Sequence, residues 1–181
     1  MSLEVNNSIY DGLGLEEIYN LLLNQLPYVF ENEINVISNS ANFSSLIYNA
    51  LPDLNWAGFY FKSANFKSSN SLVEELILGP FAGKTACVRI PFGKGVCGKS
   101  AIEQKVIIVD DVHQFPGHIA CDANSNSEIV LPIIKESELF GVFDIDSPKL
   151  SRFTELDKKY LVLLLDKFIE LTEIESIKRI Y

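Results

Sequence analysis

Between Trp56 and Asp146 the chain passes through six short aromatic or β-branched runs: "WAGFYF", "EELILGPF", "TACVRIPF", "KVIIVDDV", "EIVLPII" and "LFGVFDID". Each is parted from the next by Gly, Pro, Asn or Ser, the pattern of strands punctuated by turns. Helical spacing precedes and follows them. Apolar residues at positions 15, 18, 19, 22, 23 and 26 predict a helix over Leu15 to Phe30, which Pro27 should end or kink. Ile34, Ile37, Ala41, Leu46, Ile47 and Ala50 predict a second helix, or a broken pair, over Glu33 to Leu51. At the other end Thr154 is a plausible cap, and the pattern runs amphipathically from there to the C-terminus. The fold class expected is α+β, a six-stranded, largely antiparallel sheet with N- and C-terminal helices packed together on one face.

Two connections stand out. "GKGVCGKSAIEQK", between the third and fourth strands, is too long for a hairpin and reads as a Gly-rich turn entering a short helix with Cys97 near its N-terminus. "KSANFKSSNS", from Lys62 to Ser71, is polar enough for a hairpin loop. No internal repeat or linker divides the chain, and 181 residues suffice for one core, so residues 1–181 are expected to form a single domain.

A chain that is 48% hydrophobic and 22% charged is globular rather than disordered. Its net charge of -9 argues against nucleic acid or an anionic membrane as partner, since both require clustered Lys and Arg. The opening residues lack the basic and then apolar order of a signal peptide, and no apolar run approaches the roughly 20 residues of a membrane span. A cytoplasmic protein with a small-molecule or protein partner is expected. Three cysteines, Cys87, Cys97 and Cys121, lack the close pairing of a structural zinc site, and in a reducing compartment a transient disulfide is the more plausible use of them.

The segment "FPGHIACDANSNSE", Phe115 to Glu128, has neither helical nor strand period, yet sets Cys121 and Asp122 among small polar residues, with His113 and His118 before them and Glu128 after. A loop thiol in polar company is a poor core residue and a candidate nucleophile. In "GVFDIDSP", Asp144 and Asp146 alternate with Phe143 and Ile145 and so share one sheet face while the apolar pair faces a core. That acid face meets either water or a polar pocket; in a pocket the carboxyls could bind an ammonium or, protonated by mutual repulsion, donate a proton. Cys87 and Cys97 taken alone could each be buried filler. Metal binding by the cysteines with the histidines has no recognisable spacing, and "PFGKGVCGKS" lacks the spacing of a phosphate loop.

Taken together, "NWAGFY", "LGPFAGKTAC", "IPFGKGVCGKSA", "VDDVHQFPGHIACDANSNSEIVLPI" and "GVFDIDSP" resemble the free methionine-R-sulfoxide reductases, single-domain enzymes of the GAF fold, from about Asn55 to the end. The resemblance implies that Cys121 attacks the sulfoxide sulfur and becomes a sulfenic acid, which a second cysteine captures as a disulfide. Cys87, read as lying in a strand on the sheet floor, is the favoured resolver, with Cys97 in reserve. Glu128, Asp144 and Asp146 are implied around the sulfoxide oxygen and the ammonium, and Trp56 and Tyr60 form the wall for the substrate's methyl group. No metal or cofactor is implied; thioredoxin or a similar dithiol serves as reductant, and monomer and homodimer both remain open. Two features depart from the family's usual pattern, the longer "KSANFKSSNS" stretch and the "GKS" after Cys97. The alternative reading is a non-catalytic GAF module that senses a small ligand.

Overall fold

The computed structural model describes residues 7–63, 67–68, 71–72, 74–117 and 124–181. Helices α1 (Leu15–Phe30) and α2 (Val36–Ala50) come first. Glu17 accepts the Gly14 N–H at 2.7 Å, and Asn35 accepts the N–H groups of Ile37 and Ser38 at 3.0 and 3.1 Å, so each helix start is capped by a side chain the sequence supplies. Pro27 does not end α1. It forgoes one backbone hydrogen bond in the last turn, and the helix continues to Phe30 before Glu31 turns left-handed at φ 47°. The second helix is unbroken.

All six expected strands form one antiparallel sheet. They are β1 (Trp56–Lys62), β4 (Glu75–Gly83), β5 (Arg89–Pro91), β6 (Ile107–Val109), β7 (Ser127–Lys135) and β8 (Glu138–Ser147), with β2 (Lys67–Ser68) and β3 (Ser71–Leu72) forming a separate two-stranded pairing. The order β5-β4-β1-β8-β7-β6 puts β1 and β8 in the middle. β7 turns into β8 through Glu136 and Ser137, both at positive φ, as a two-residue hairpin of the I′ type requires. The third and fourth runs pair over only three residues each, and Cys87 therefore lies before β5 rather than in a strand. The expectation of a strand-borne Cys87 is corrected on this point.

Helix α3 (Gly95–Glu103) joins β5 at one sheet edge to β6 at the other, so the chain must cross a face of the sheet there. Helices α2 and α4 (Glu155–Glu170) cover the opposite face, and α1 packs against both of them. Their core is aromatic: Phe59 lies 4.7 Å from Phe143 and 4.9 Å from Phe168, and Phe43 lies 5.0 Å from Phe143, centroid to centroid. Each such ring is worth about 1.5–3 kcal/mol on burial, which fixes which face of β1 and β8 turns inward to the helices. Asp157 locks α4 in place, accepting from Tyr19 Oη at 2.7 Å, Arg152 Nη1 at 2.9 Å and Thr154 at 2.8 Å. Burial pushes its carboxyl up, but these donors outweigh it and hold the pKa below the usual range. The terminal helix does not run to the end as expected. It stops at Glu170 because tertiary bonds redirect the chain: Asn39 Nδ2 donates to Thr172 Oγ1, Glu173 N–H donates to Ile34 O, and a 3-10 turn then buries Ile174 and Ile177.

Candidate active site

Strand register assembles the face beneath α3. Trp56 pairs with Asp146, which pairs with Glu128, and in the next row of that face Gly58 pairs with Asp144, which pairs with Val130. Directly opposed residues point to one side, so three strands place an indole and three carboxylates on the face away from the helices. Phe143 and Ile145 point the other way, into the helix-covered core, as their alternation requires. Glu128 and Asp144 are buried, at 5% and 7% exposure, and Asp146 is half-buried.

Helix α3 brings Cys97 down onto the acids. A Cβ on Gly98 would come within 2.4 Å of the Pro91 carbonyl oxygen, so only glycine lets the first turn of α3 sit this close to the end of β5. Cys97, on that turn and buried, donates to Glu128 Oε1 with a 3.9 Å separation, and its sulfur, a Glu128 oxygen and an Asp144 oxygen all lie within 4.8 Å of one another. Oδ1 of Asp144 is nonetheless buried with no hydrogen-bond partner among the described residues. A helix N-terminus ordinarily favours a thiolate. Here burial, and then the charges of Asp144 and Glu128, win and push the Cys97 thiol up. Glu128 is pushed up by burial and by the two aspartates. Asp144 rises to about 7 through burial, against the pull of the Cys97 and Glu128 hydrogen bonds. The two carboxyls therefore hold protons around neutral pH that they would lose in water.

That cost is testable through stability. The folded state keeps a proton on Asp144 that the unfolded chain releases near 3.8. Its penalty is thus absent below that pH, grows as pH rises and is complete above about 7. Asp144→Asn carries no charge to bury, so it should melt above the native chain at pH 8 and lose that advantage near pH 4. Thermal melts at the two pH values check this; a Tm difference independent of pH would mean that folding does not raise the Asp144 pKa.

The wall of the site is aromatic. Trp56 and Tyr60 stack at 5.7 Å and 27°, and Trp56 also stacks on Phe81 at 5.4 Å and 16°. Gly58 lies between the first two on β1, and a Cβ there would come within 2.6 Å of the indole and 2.4 Å of Phe81 Cβ. Its absence of a side chain lets the Trp56 ring lie over the strand. Phe81 and Gly58 were not foreseen; their signal is the cross-strand pairing Gly58↔Phe81, which depends on a register that sequence does not print.

Cys121, His118 and Asp122 lie outside the described residues. On the near side of them, His113 Nε2 meets Asn126 Oδ1 at 3.1 Å, and Val112 N–H donates to Asn126 O. On the far side, Asn126 N–H donates to Ser147 O, and Asn55 Nδ2 donates to the buried Ser125 Oγ at 3.0 Å. Both flanks are thereby pinned at the sheet end where Glu128 faces Asp146. Cys87 is disulfide-bonded and Cys97 is a free thiol. The donor atoms of Cys97, Glu128 and Asp144 lie within 4.8 Å of one another, near enough for a cation, which would bind there only by displacing the protons that burial keeps on them.

Among proteins of known sequence, a GAF domain family model matches residues 45–167. The chain is 44% identical over 162 residues to the free methionine-R-sulfoxide reductase of Escherichia coli (strain K12), across 87% of this chain and 92% of that one. The chain belongs to the GAF-domain free methionine-R-sulfoxide reductase family. It is 54% identical to Protein YtsP of Bacillus subtilis (strain 168), across 81% of this chain and 85% of the relative. The X-ray structure of free methionine-R-sulfoxide reductase from Neisseria meningitidis, in complex with its substrate, superposes with a TM-score of 0.80 at 35% identity, across 93% of this chain and 95% of that one. In this member of the reductase family the six-stranded sheet and flanking helices are those of the GAF fold. No helix among the described residues is long and apolar enough to cross a membrane.

Proposed function

We propose that the protein reduces free L-methionine (R)-S-oxide to L-methionine with its own thiols, residues 1–181 acting as one unit. The observation that carries this reading is the convergence of Cys97, Glu128 and Asp144 on the sheet face that also bears the stacked Trp56 and Tyr60, with a buried Asp144 oxygen left unpartnered among the described residues. A relative named for this reduction, and a solved one holding its substrate, support the same reading.

In the proposed cycle the Cys121 thiolate attacks the sulfoxide sulfur. The protonated oxygen then passes from the substrate sulfur to the Cys121 sulfur, breaking the substrate S–O bond and the transient S–S bond, so that Cys121 becomes a sulfenic acid, oxidised by two electrons, and methionine leaves reduced by two. Glu128, kept protonated by burial, donates to that oxygen, which is a poor leaving group without a proton. Asp144 and Asp146 take the ammonium, and Trp56 and Tyr60 take the methyl and sulfur. The Cys87 sulfur then displaces hydroxyl from Cys121, giving a disulfide and water, and thioredoxin or a similar dithiol reduces the disulfide by exchange. Cys87 is favoured over Cys97 because it is found disulfide-bonded, whereas Cys97 is a buried thiol that burial keeps protonated.

The test is stoichiometry. Attack and methionine release precede resolution, so Cys87→Ser should still yield about one methionine per enzyme yet lose thioredoxin-supported turnover. Should Cys97→Ser behave this way and Cys87→Ser not, Cys97 is the resolver.

A further inference from the structure

We propose that Tyr60 is a positioning residue for disulfide formation, its hydroxyl holding the Cys87 segment in reach while its ring serves the substrate wall. The inference rests on the assignment of Cys87 as resolver.

Between the end of β4 at Gly83 and the start of β5 at Arg89 the chain has no regular structure, and Cys87 lies in that gap. Two side chains of β1 reach across to it. Tyr60 Oη donates to the Cys87 carbonyl oxygen at 3.1 Å, and Trp56 Nε1 donates to the Lys84 carbonyl oxygen at 3.0 Å. Both donors belong to the aromatic pair on the acid-bearing face. Tyr60 is 1% exposed, and burial together with Asp144 pushes its hydroxyl well above the ordinary range, so it remains a donor across the working pH. One side chain therefore touches the substrate wall with its ring and the resolving residue's backbone with its hydroxyl.

Resolution forms the Cys87–Cys121 S–S bond and breaks the Cys121 S–O bond, with the Cys87 proton leaving with the hydroxyl as water. Its rate depends on how often the Cys87 sulfur stands in line with the sulfenic sulfur, a matter of local positioning. Removing one hydrogen bond from the segment should slow it about tenfold.

Tyr60→Phe keeps the ring and removes only the donor. Reduced protein is mixed with one equivalent of methionine sulfoxide in the absence of external reductant. The sulfenic acid is trapped with dimedone at successive times, and the disulfide is counted by mass. The readout is the sulfenic acid's lifetime after methionine has left, which is independent of any change in the methionine-forming step; a ring acting only as substrate wall would alter KM and leave this lifetime alone. The expected result is a lifetime about ten times the native one. A native lifetime in Tyr60→Phe, with disulfide formation abolished in Cys87→Ser run alongside, overturns the positioning role and leaves the resolver standing. Disulfide formation at the native rate in Cys87→Ser overturns the resolver assignment, and the Tyr60 role with it.

Discussion

Cys121→Ser should form no methionine at all, even in the single turnover that precedes any recycling. A hydroxyl does not replace a thiolate at sulfur, because its pKa leaves essentially no anion at neutral pH and oxygen is a poor nucleophile towards a sulfoxide. The loss is complete rather than partial, since neither remaining thiol substitutes. Cys97 is buried and held protonated beside carboxyls, and Cys87 lies in the segment assigned to resolution. The check is methionine released per mole of reduced variant with no external dithiol. A normal burst from Cys121→Ser would remove it as nucleophile and turn attention to Cys97.

The second large effect concerns substrate size. Free methionine sulfoxide presents an ammonium, and the buried Oδ1 of Asp144 has no hydrogen-bond partner among the described residues. An N-acetylated or protein-bound sulfoxide presents a neutral amide instead, so Asp144 keeps its proton and the charge-assisted contact to the ammonium is lost, roughly 1.5–3 kcal/mol. The expected kcat/KM for the N-acetylated R sulfoxide is therefore about tenfold to a hundredfold below that for the free amino acid. Both are measured under identical dithiol supply. Similar values would mean the acids do not recognise the ammonium.

The sheet was legible because its strands alternate: Phe143 and Ile145 on one side of β8, Asp144 and Asp146 on the other, is a pattern with a single geometric solution. Cys97 near a helix start was legible from the glycines around it. What the pattern could not carry was register and tertiary redirection. Nothing in "TACVRIPF" marks that pairing begins only at Arg89, since the β propensity of Cys87 and Val88 matches that of the residues that do pair. The C-terminal apolar period continues past Glu170, but Asn39 and Ile34 capture Thr172 and Glu173 and end the helix there. The acids of the site were visible as residues, whereas the protons they hold follow from burial under α3, which depends on Gly98 and on the crossing from β5 to β6.

The central claim is thiol-driven reduction of one epimer of free methionine sulfoxide. It is tested most directly by mixing fully reduced protein with the separate R and S epimers, without external reductant, and counting methionine formed and thiols lost. About one methionine per enzyme is expected from the R epimer, with two thiols lost, and none from the S epimer. A protein that is stabilised by either epimer yet yields no methionine and keeps all its thiols would contradict it and would be a ligand-binding GAF sensor instead.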